Sequence, residues 1–199
     1  VRSYLTIAPD LTFDAGVVDT FLHGRQRSYT VDGCLELAHA AGLAFQDWFL
    51  RSPYEPPERD DGFLAAVAAL PEPQRWSVME RLTTRNAAHF FTCVRRERPV
   101  DDYRVDFAAP DVGEFVPSLR FQCAVGDGEV VGPDRRLPLD RERQLVAQQI
   151  DGERSLQMIS AAVAPRIDEP ERCDALVRDT VRSLWLRDVV AISLPTHRR

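Results

Sequence analysis

The order of predicted elements between residues 139 and 194 is the feature that most constrains how this chain can fold. Asp140 is placed to cap a first helix and Ser155 to cap a second, since each side chain can accept a hydrogen bond from the first helical turn. Apolar residues at helical spacing predict a third, longer helix over residues 171–186. An apolar run over residues 189–194 predicts a closing strand.

Two short helices, one longer helix and a strand follow one another as they do in a winged-helix unit. Such a unit suggests DNA binding, but the charges argue against it. The chain has 25 Lys and Arg against 31 Asp and Glu, which gives a net charge of −6, and the third helix balances three acidic with three basic residues. Because a duplex reader needs a basic face, we expect this unit to contact a protein or peptide partner, or to act as a structural cap.

Upstream of this unit, the sequence predicts one helix–strand pair. Thr30 can cap a helix over residues 31–41, Gly42 can end it, and residues 43–50 have the apolar alternation of a strand. One such pair cannot form a two-sided sheet alone. Either this strand pairs with the later β region, or it is the edge of a domain that the chain contains only in part.

Residues 51–99 are predicted to be a helical connector. The sequence favours helices over residues 62–70 and from Pro73 onward, the second with Trp76, Met79 and Leu82 on its buried face. A further helical stretch is predicted for 86–96, where the two adjacent phenylalanines would be buried.

Residues 100–136 are β-rich, with a hairpin turn at Asp127–Gly128. The predicted fold class is therefore α+β: a remnant α/β unit, a helical connector, and a C-terminal region with a β-hairpin and a winged-helix-like unit. The corresponding domains are residues 1–50, 51–99 and 100–199.

The residue types restrict cofactors and compartment. The four histidines are widely separated and the four cysteines form no Cys-x-x-Cys pair, so no metal site is predicted. Widely spaced cysteines favour reduced thiols and a cytoplasmic location. No stretch approaches the roughly 20 apolar residues that a membrane helix needs, so we expect no membrane binding.

Residues 19–45 are the segment with the most specific motifs, with Phe-Leu-His-Gly-Arg-Gln-Arg-Ser-Tyr-Thr-Val at 21–31 and Ala-Gly-Leu-Ala-Phe at 41–45. This segment resembles bacterial class I S-adenosylmethionine-dependent methyltransferases, in which Phe-Leu-His-Pro-Arg-Asp-Arg-x-Tyr-Thr-Val precedes a helix and Ala-Gly-Leu-x-Phe forms the next strand. Gly24 replaces the usual Pro and Gln26 the usual Asp. The segments at 3–19, 89–91 and 150–156 are similar to the same proteins.

The resemblance implies methyl transfer to a small-molecule or peptide acceptor, with His23 as base or acceptor-orienting group and Arg25, Arg27 and Tyr29 as polar contacts. It also implies S-adenosylmethionine as cofactor of the parent enzyme. The family binds that cofactor at a Gly-rich loop after the first strand of a doubly wound sheet. The sequence contains no such loop, and its first residue is Val1 instead of Met. We therefore expect the chain to be the rear portion of the enzyme, without cofactor and inactive alone.

Two other functions remain open at this stage. The chain could be a non-catalytic protein- or peptide-binding module that acts through its C-terminal domain, or a DNA regulator, which the charges disfavour.

Overall fold

The computed structural model describes residues 9–22, 24–25, 27–57, 61–83, 88–133 and 135–195. The chain divides into two compact units, Val1–Thr30 and Val31–Arg199. In the first unit, a 3-10 turn at Pro9–Thr12 precedes helix α1, Asp14–Phe21. Several apolar side chains of α1, including Val18 and Phe21, are exposed.

The second unit begins with the predicted helix–strand pair. Helix α2, Val31–Ala40, is followed by Gly42 at φ +73°, a left-handed conformation that glycine adopts without strain. Strand β1, Leu43–Trp48, comes next. Helices α3, Gly62–Ala68, and α4, Glu72–Leu82, also lie where the sequence predicts them.

One face of α4 differs in part from the prediction. Trp76 and Met79 are buried, as expected, but Leu82 is 49% exposed at the last residue of the helix.

Asp61 caps α3 by accepting hydrogen bonds from the backbone N–H groups of Phe63 and Leu64.

The prediction of a helix over residues 86–96 is wrong. Residues 91–95 form strand β2, Phe91–Arg95, which pairs antiparallel with β1. The pairing brings the ring of Phe91 to 5.5 Å from that of Phe45, so tertiary contacts with β1 override a pattern that is compatible with a helix. Phe90 is 64% exposed, so the prediction that it is buried is also wrong.

Residues 100–138 form short strands between turns. Strand β3 is Val116–Leu119, and the antiparallel order β4–β5–β6 comprises Ala124–Val125, Glu129–Gly132 and Arg135–Pro138. The turn between β4 and β5 has Gly128 at φ +72°, as the Asp-Gly pair predicts.

The last part of the chain has the predicted sequence of elements: helices α5, Arg141–Ala147, α6, Leu156–Val163, and α7, Cys173–Leu186, then strand β7, Val190–Ser193. β7 pairs antiparallel with β3. The three helices, β3 and β7 enclose a mainly aliphatic core that includes Phe115, Ile159 and Val181.

The predicted α+β class is confirmed, because helices combine with small sheets. Every strand pair in the described ranges is antiparallel. The division into residues 1–50, 51–99 and 100–199 stays a prediction. None of the described helices combines the length and the apolar character needed to cross a bilayer.

Candidate functional site

The loop before α2 contains the residues that the sequence resemblance implicates. His23 lies outside the described residues. Arg25 is exposed, whereas Tyr29 is half-buried and the guanidinium carbon of Arg27 lies 4.9 Å from the centre of its ring. The structure thus brings Arg27 and Tyr29 together in a cation–π contact that does not include Arg25.

A cleft of about 520 Å³ opens between β1 and β7 in the second unit. Its volume lies in the range of small-molecule sites. Its lining combines aromatic and aliphatic side chains with six charged ones: Asp47, Arg51, Arg98, Asp102, Arg120 and Asp188.

Arg51 is the buried centre of these charges, with only 5% of the residue exposed. Its Nε donates to Asp47 Oδ2 at 2.7 Å, and its guanidinium carbon lies 3.8 Å from the ring centre of Trp185. Arg51 Nη1 lies 3.5 Å from Glu55 Oε1, close enough for an ion pair but without a well-directed hydrogen bond. The cation is therefore compensated by three carboxylates, those of Asp47, Glu55 and Glu72, and by a ring face.

The carboxylate of Glu55 extends the charge network away from the cleft. Glu55 Oε2 lies 2.8 Å from Arg75 Nε, and Glu55 Oε1 accepts from the Trp76 indole N–H at 3.3 Å. Glu72 pairs with Arg75 and with Arg104. Glu55 is buried, and the cations of Arg51 and Arg75 together offset the cost of its leaving water.

Asp188 connects the two sides of the cleft. Its carboxylate accepts the backbone N–H of Arg51 at 2.6 Å and that of Ser52 at 3.0 Å, which are 137 and 136 residues away in sequence. Arg120 and Arg135 lie at 3.6 and 3.7 Å from the same carboxylate. Asp188 has φ +59°, a left-handed conformation that Asp tolerates better than most residues. This turn at the end of α7 therefore fixes the start of the 3-10 turn at Ser52–Tyr54.

Burial changes the acidity of one cleft carboxyl. Loss of hydration raises the pKa of Asp47 above its ordinary value, and the ion pair with Arg51 offsets this only in part. Asp47 therefore holds a proton more readily than an exposed aspartate does.

A second network of polar side chains, formed by Tyr54, His89 and Glu80, lies among aromatic rings that include Trp48 of β1. The hydroxyl of Tyr54 lies 2.7 Å from His89 Nδ1, and His89 Nε2 lies 3.2 Å from Glu80 Oε1. The other oxygen of Glu80 accepts the N–H of Val31 at 3.0 Å, at the first residue of α2. His89 is therefore a hydrogen-bonded histidine, and its ring lies 5.6 Å from that of Trp48.

The formal charges that line the cleft cancel, because it is lined by three arginines and three aspartates. This balance favours recognition by hydrogen bonds and apolar contacts over capture of a highly charged ligand. Within the described ranges, no group of three or more His, Cys, Asp or Glu side chains is arranged to hold a metal ion. All four cysteines are thiols, with none in a disulfide.

Sequence reasoning missed the residues of the cleft. Arg51 and Asp188 belong to no motif, and their separation in sequence gives no local signal of a contact. The Asp47–Arg51 pair four residues apart gives a faint local signal, although this spacing is expected of helices and the segment begins in a strand. No protein-family model matches the chain.

Proposed function

We propose that the chain is part of a class I S-adenosylmethionine-dependent methyltransferase that transfers a methyl group to a small-molecule or peptide acceptor. The observation that carries this proposal is the run at residues 21–31, which resembles that family and directly precedes α2, Gly42 and β1. In the family, the corresponding run is likewise followed by a helix, a glycine and a strand.

The described residues do not fit a cofactor site of that family. Such a site requires a parallel strand followed by a Gly-rich loop and a helix, whereas every strand pair in the described ranges is antiparallel. The proposal therefore assigns S-adenosylmethionine binding to a part of the enzyme other than these residues. S-adenosylmethionine supplies the electrophilic methyl group of the reaction.

The residues of this chain would then act on the acceptor. We assign His23 the role of accepting the proton that the acceptor loses, or of orienting the acceptor. Arg27 and Tyr29, which already contact each other, and Arg25, which is exposed, would supply polar contacts from the same loop. We place this enzyme in the bacterial cytoplasm.

Calorimetric titration with S-adenosylmethionine tests this proposal. We expect no binding to the 199-residue chain, and binding once the chain is extended by the residues that its gene encodes before Val1. We also expect those residues to contain a strand followed by a Gly-rich loop. Micromolar binding by the 199-residue chain alone would contradict the proposed division of labour, and so would upstream residues without such a loop.

His23→Ala in the extended enzyme tests the assigned base. The rate of transfer of labelled methyl groups into acceptors of a bacterial extract should fall about a hundredfold, the lower end of the effect of losing a general base. His39→Ala is the matched control, since His39 is exposed on α2 and contacts the guanidinium of Arg96. Equal rates for the two variants would remove His23 from the reaction.

A second function, a non-catalytic protein- or peptide-binding module, is favoured by the charges on α7. Its exposed Asp174, Arg178, Asp179 and Arg182 balance one another, with Arg178 Nε 3.5 Å from Asp179 Oδ1. Such a face suits contact with a protein better than contact with DNA. An extended chain that binds no S-adenosylmethionine would favour this function over methyl transfer.

A further inference from the structure

Strand β7 is the open edge of its sheet. Among the described residues it pairs only with β3. The far side of β3 is already covered, because Pro117 O accepts from Gly152 N at 3.2 Å and Phe115 O accepts from Leu156 N at 2.9 Å. The sheet can therefore grow only beside β7, and residues 190–194 line the cleft.

The register of β7 shows which backbone groups face the cleft. Arg120 N donates to Val189 O at 2.9 Å, and the pairing continues without a shift from Leu119–Val190 to Val116–Ser193. In an antiparallel ladder, alternate residues bond to the partner. Ala191 and Ser193 therefore bond to β3, whereas the N–H and C=O groups of Val190 and Ile192 point to the other side.

Strand β1, on the opposite side of the cleft, is partly covered along its edge. The N–H of Trp48 donates to Asp47 Oδ1 at 2.7 Å. The side chain of Gln46 crosses to the neighbouring loop, where its Nε2 donates to Tyr103 O at 3.3 Å. The first contact occupies a backbone donor of β1 and the second places the Gln46 side chain beside the strand, so β1 is less suited than β7 to pair with an added strand.

Strand β7 contains none of the features that usually prevent an edge strand from pairing with another chain. Exposed edge strands usually have a charge, a proline or a bulge that prevents pairing with another chain. The sequence of β7 is Val-Ala-Ile-Ser, and its ladder with β3 is regular. Val105 lines the cleft and packs against the aliphatic core, so an apolar side chain adjoins the edge, whereas the guanidinium of Arg51 covers a face of the Trp185 ring.

We propose that this cleft binds an extended peptide segment of a partner protein, which adds to β7 as a third strand of the β3–β7 sheet. The peptide main chain would bond to the N–H and C=O groups of Ile192, which is partly exposed, whereas Val190 is only 1% exposed. An apolar side chain of the peptide would lie against Val105. Because the charges of the cleft balance, the main chain supplies most of the recognition. Peptide binding here depends on the cleft alone and does not require methyl transfer.

To obtain a probe, we would select peptides that bind the purified chain from a display library of random dodecapeptides. Their dissociation constants are measured by fluorescence anisotropy, first unmodified and then with single N-methyl groups placed along the sequence. N-methylation should weaken binding about tenfold or more at alternate residues and leave it nearly unchanged at the residues between them, since only alternate N–H groups face β7. Equal effects at consecutive residues would overturn the proposal.

Ile192→Pro tests the same edge from the protein side. Proline removes an N–H that faces the cleft and leaves the ladder with β3 intact, so the fold should persist, as circular dichroism and the thermal midpoint would show. Ile192→Ala is the matched control, because it shortens the side chain and keeps the N–H. We expect Ile192→Pro to lose about tenfold or more in affinity relative to Ile192→Ala. Equal affinities for the two folded variants, or a selection that yields no binding peptide, would overturn the proposal.

Discussion

Residues 43–95 and residues 105–194 are held together by different interactions. In the first region, the buried side chains are mainly rings and charges, such as Trp48, Trp76, Arg51 and Glu55. In the second, the buried cluster is mainly aliphatic and comes from three helices and β7. The cleft lies where the two regions meet.

The difference has energetic consequences. An aliphatic core loses stability in proportion to the atoms removed and the cavity left behind. A buried ion pair is costly to form, and removal of one partner leaves the other charge without compensation. The first region should therefore be more sensitive than the second to the loss of a single charged side chain.

Arg51→Ala should have the largest effect, a loss of about 3–5 kcal/mol in the free energy of unfolding measured in urea. The variant removes the nearest cation from the half-buried Asp47, leaves the buried Glu55 with Arg75 as its remaining ion-pair partner, and uncovers the ring of Trp185. The control is Arg143→Ala, which removes an exposed ion pair with Asp140 and should change stability by less than about 1 kcal/mol. Similar losses in both variants would mean that the buried charges do not support the first region.

Ile159→Ala should cost about 2–5 kcal/mol, because the side chain is fully buried in the aliphatic core. Combined with Arg51→Ala, its effect should add to within about 0.5 kcal/mol, as expected for separate sites. A much larger coupling would show that the two regions are a single energetic unit.

Tyr54→Phe should cost about 1 kcal/mol, since it removes the hydroxyl that lies 2.7 Å from His89 Nδ1. Tyr103→Phe is the matched control: it is also buried, and its hydroxyl has no hydrogen bond to the described residues. Thermal unfolding followed by calorimetry would compare the two. Equal midpoints would remove the network of Tyr54, His89 and Glu80 from the forces that stabilise the first region.

Asp151→Asn should have the smallest effect, and that effect should depend on pH. The backbone N–H groups of Arg154 and Glu153 hold the pKa of Asp151 below its ordinary value. The ionised carboxylate therefore contributes stability above the unfolded pKa of about 3.9, and this contribution is lost as pH falls through the lower folded pKa. The native protein and the variant should differ more in urea unfolding at pH 6 than at acid pH. A difference that grows on acidification would contradict the sign.

Much of the second region is predictable from its sequence, because aliphatic residues repeat at helical spacing and polar caps precede them. Asp140 accepts from Arg143 N at 2.8 Å and Ser155 from Met158 N at 3.3 Å, as their positions predict. Local chemistry and tertiary packing agree there, so the order of helices and strand is predicted correctly.

The first region is less predictable because tertiary contacts decide it. The segment containing Phe90 and Phe91 has apolar residues at a helical spacing, and only pairing with β1 makes it a strand. The contact of Asp188 with the backbone of Arg51 depends on the fold of the whole second unit. Of the predicted site residues that the structure describes, Arg25, Arg27 and Tyr29, only the last two are placed in contact with each other.

Amide hydrogen exchange along β7, measured residue by residue by NMR in the unliganded protein, tests the open cleft edge most directly. The N–H groups of Ala191 and Ser193 bond to β3 and should exchange slowly, whereas that of Ile192 faces the cleft and should exchange much faster. A selected peptide should then slow the exchange of Ile192 without changing the order of the other two. Equal and slow exchange of all three amides in the unliganded protein would contradict the open edge and the strand-addition site built on it.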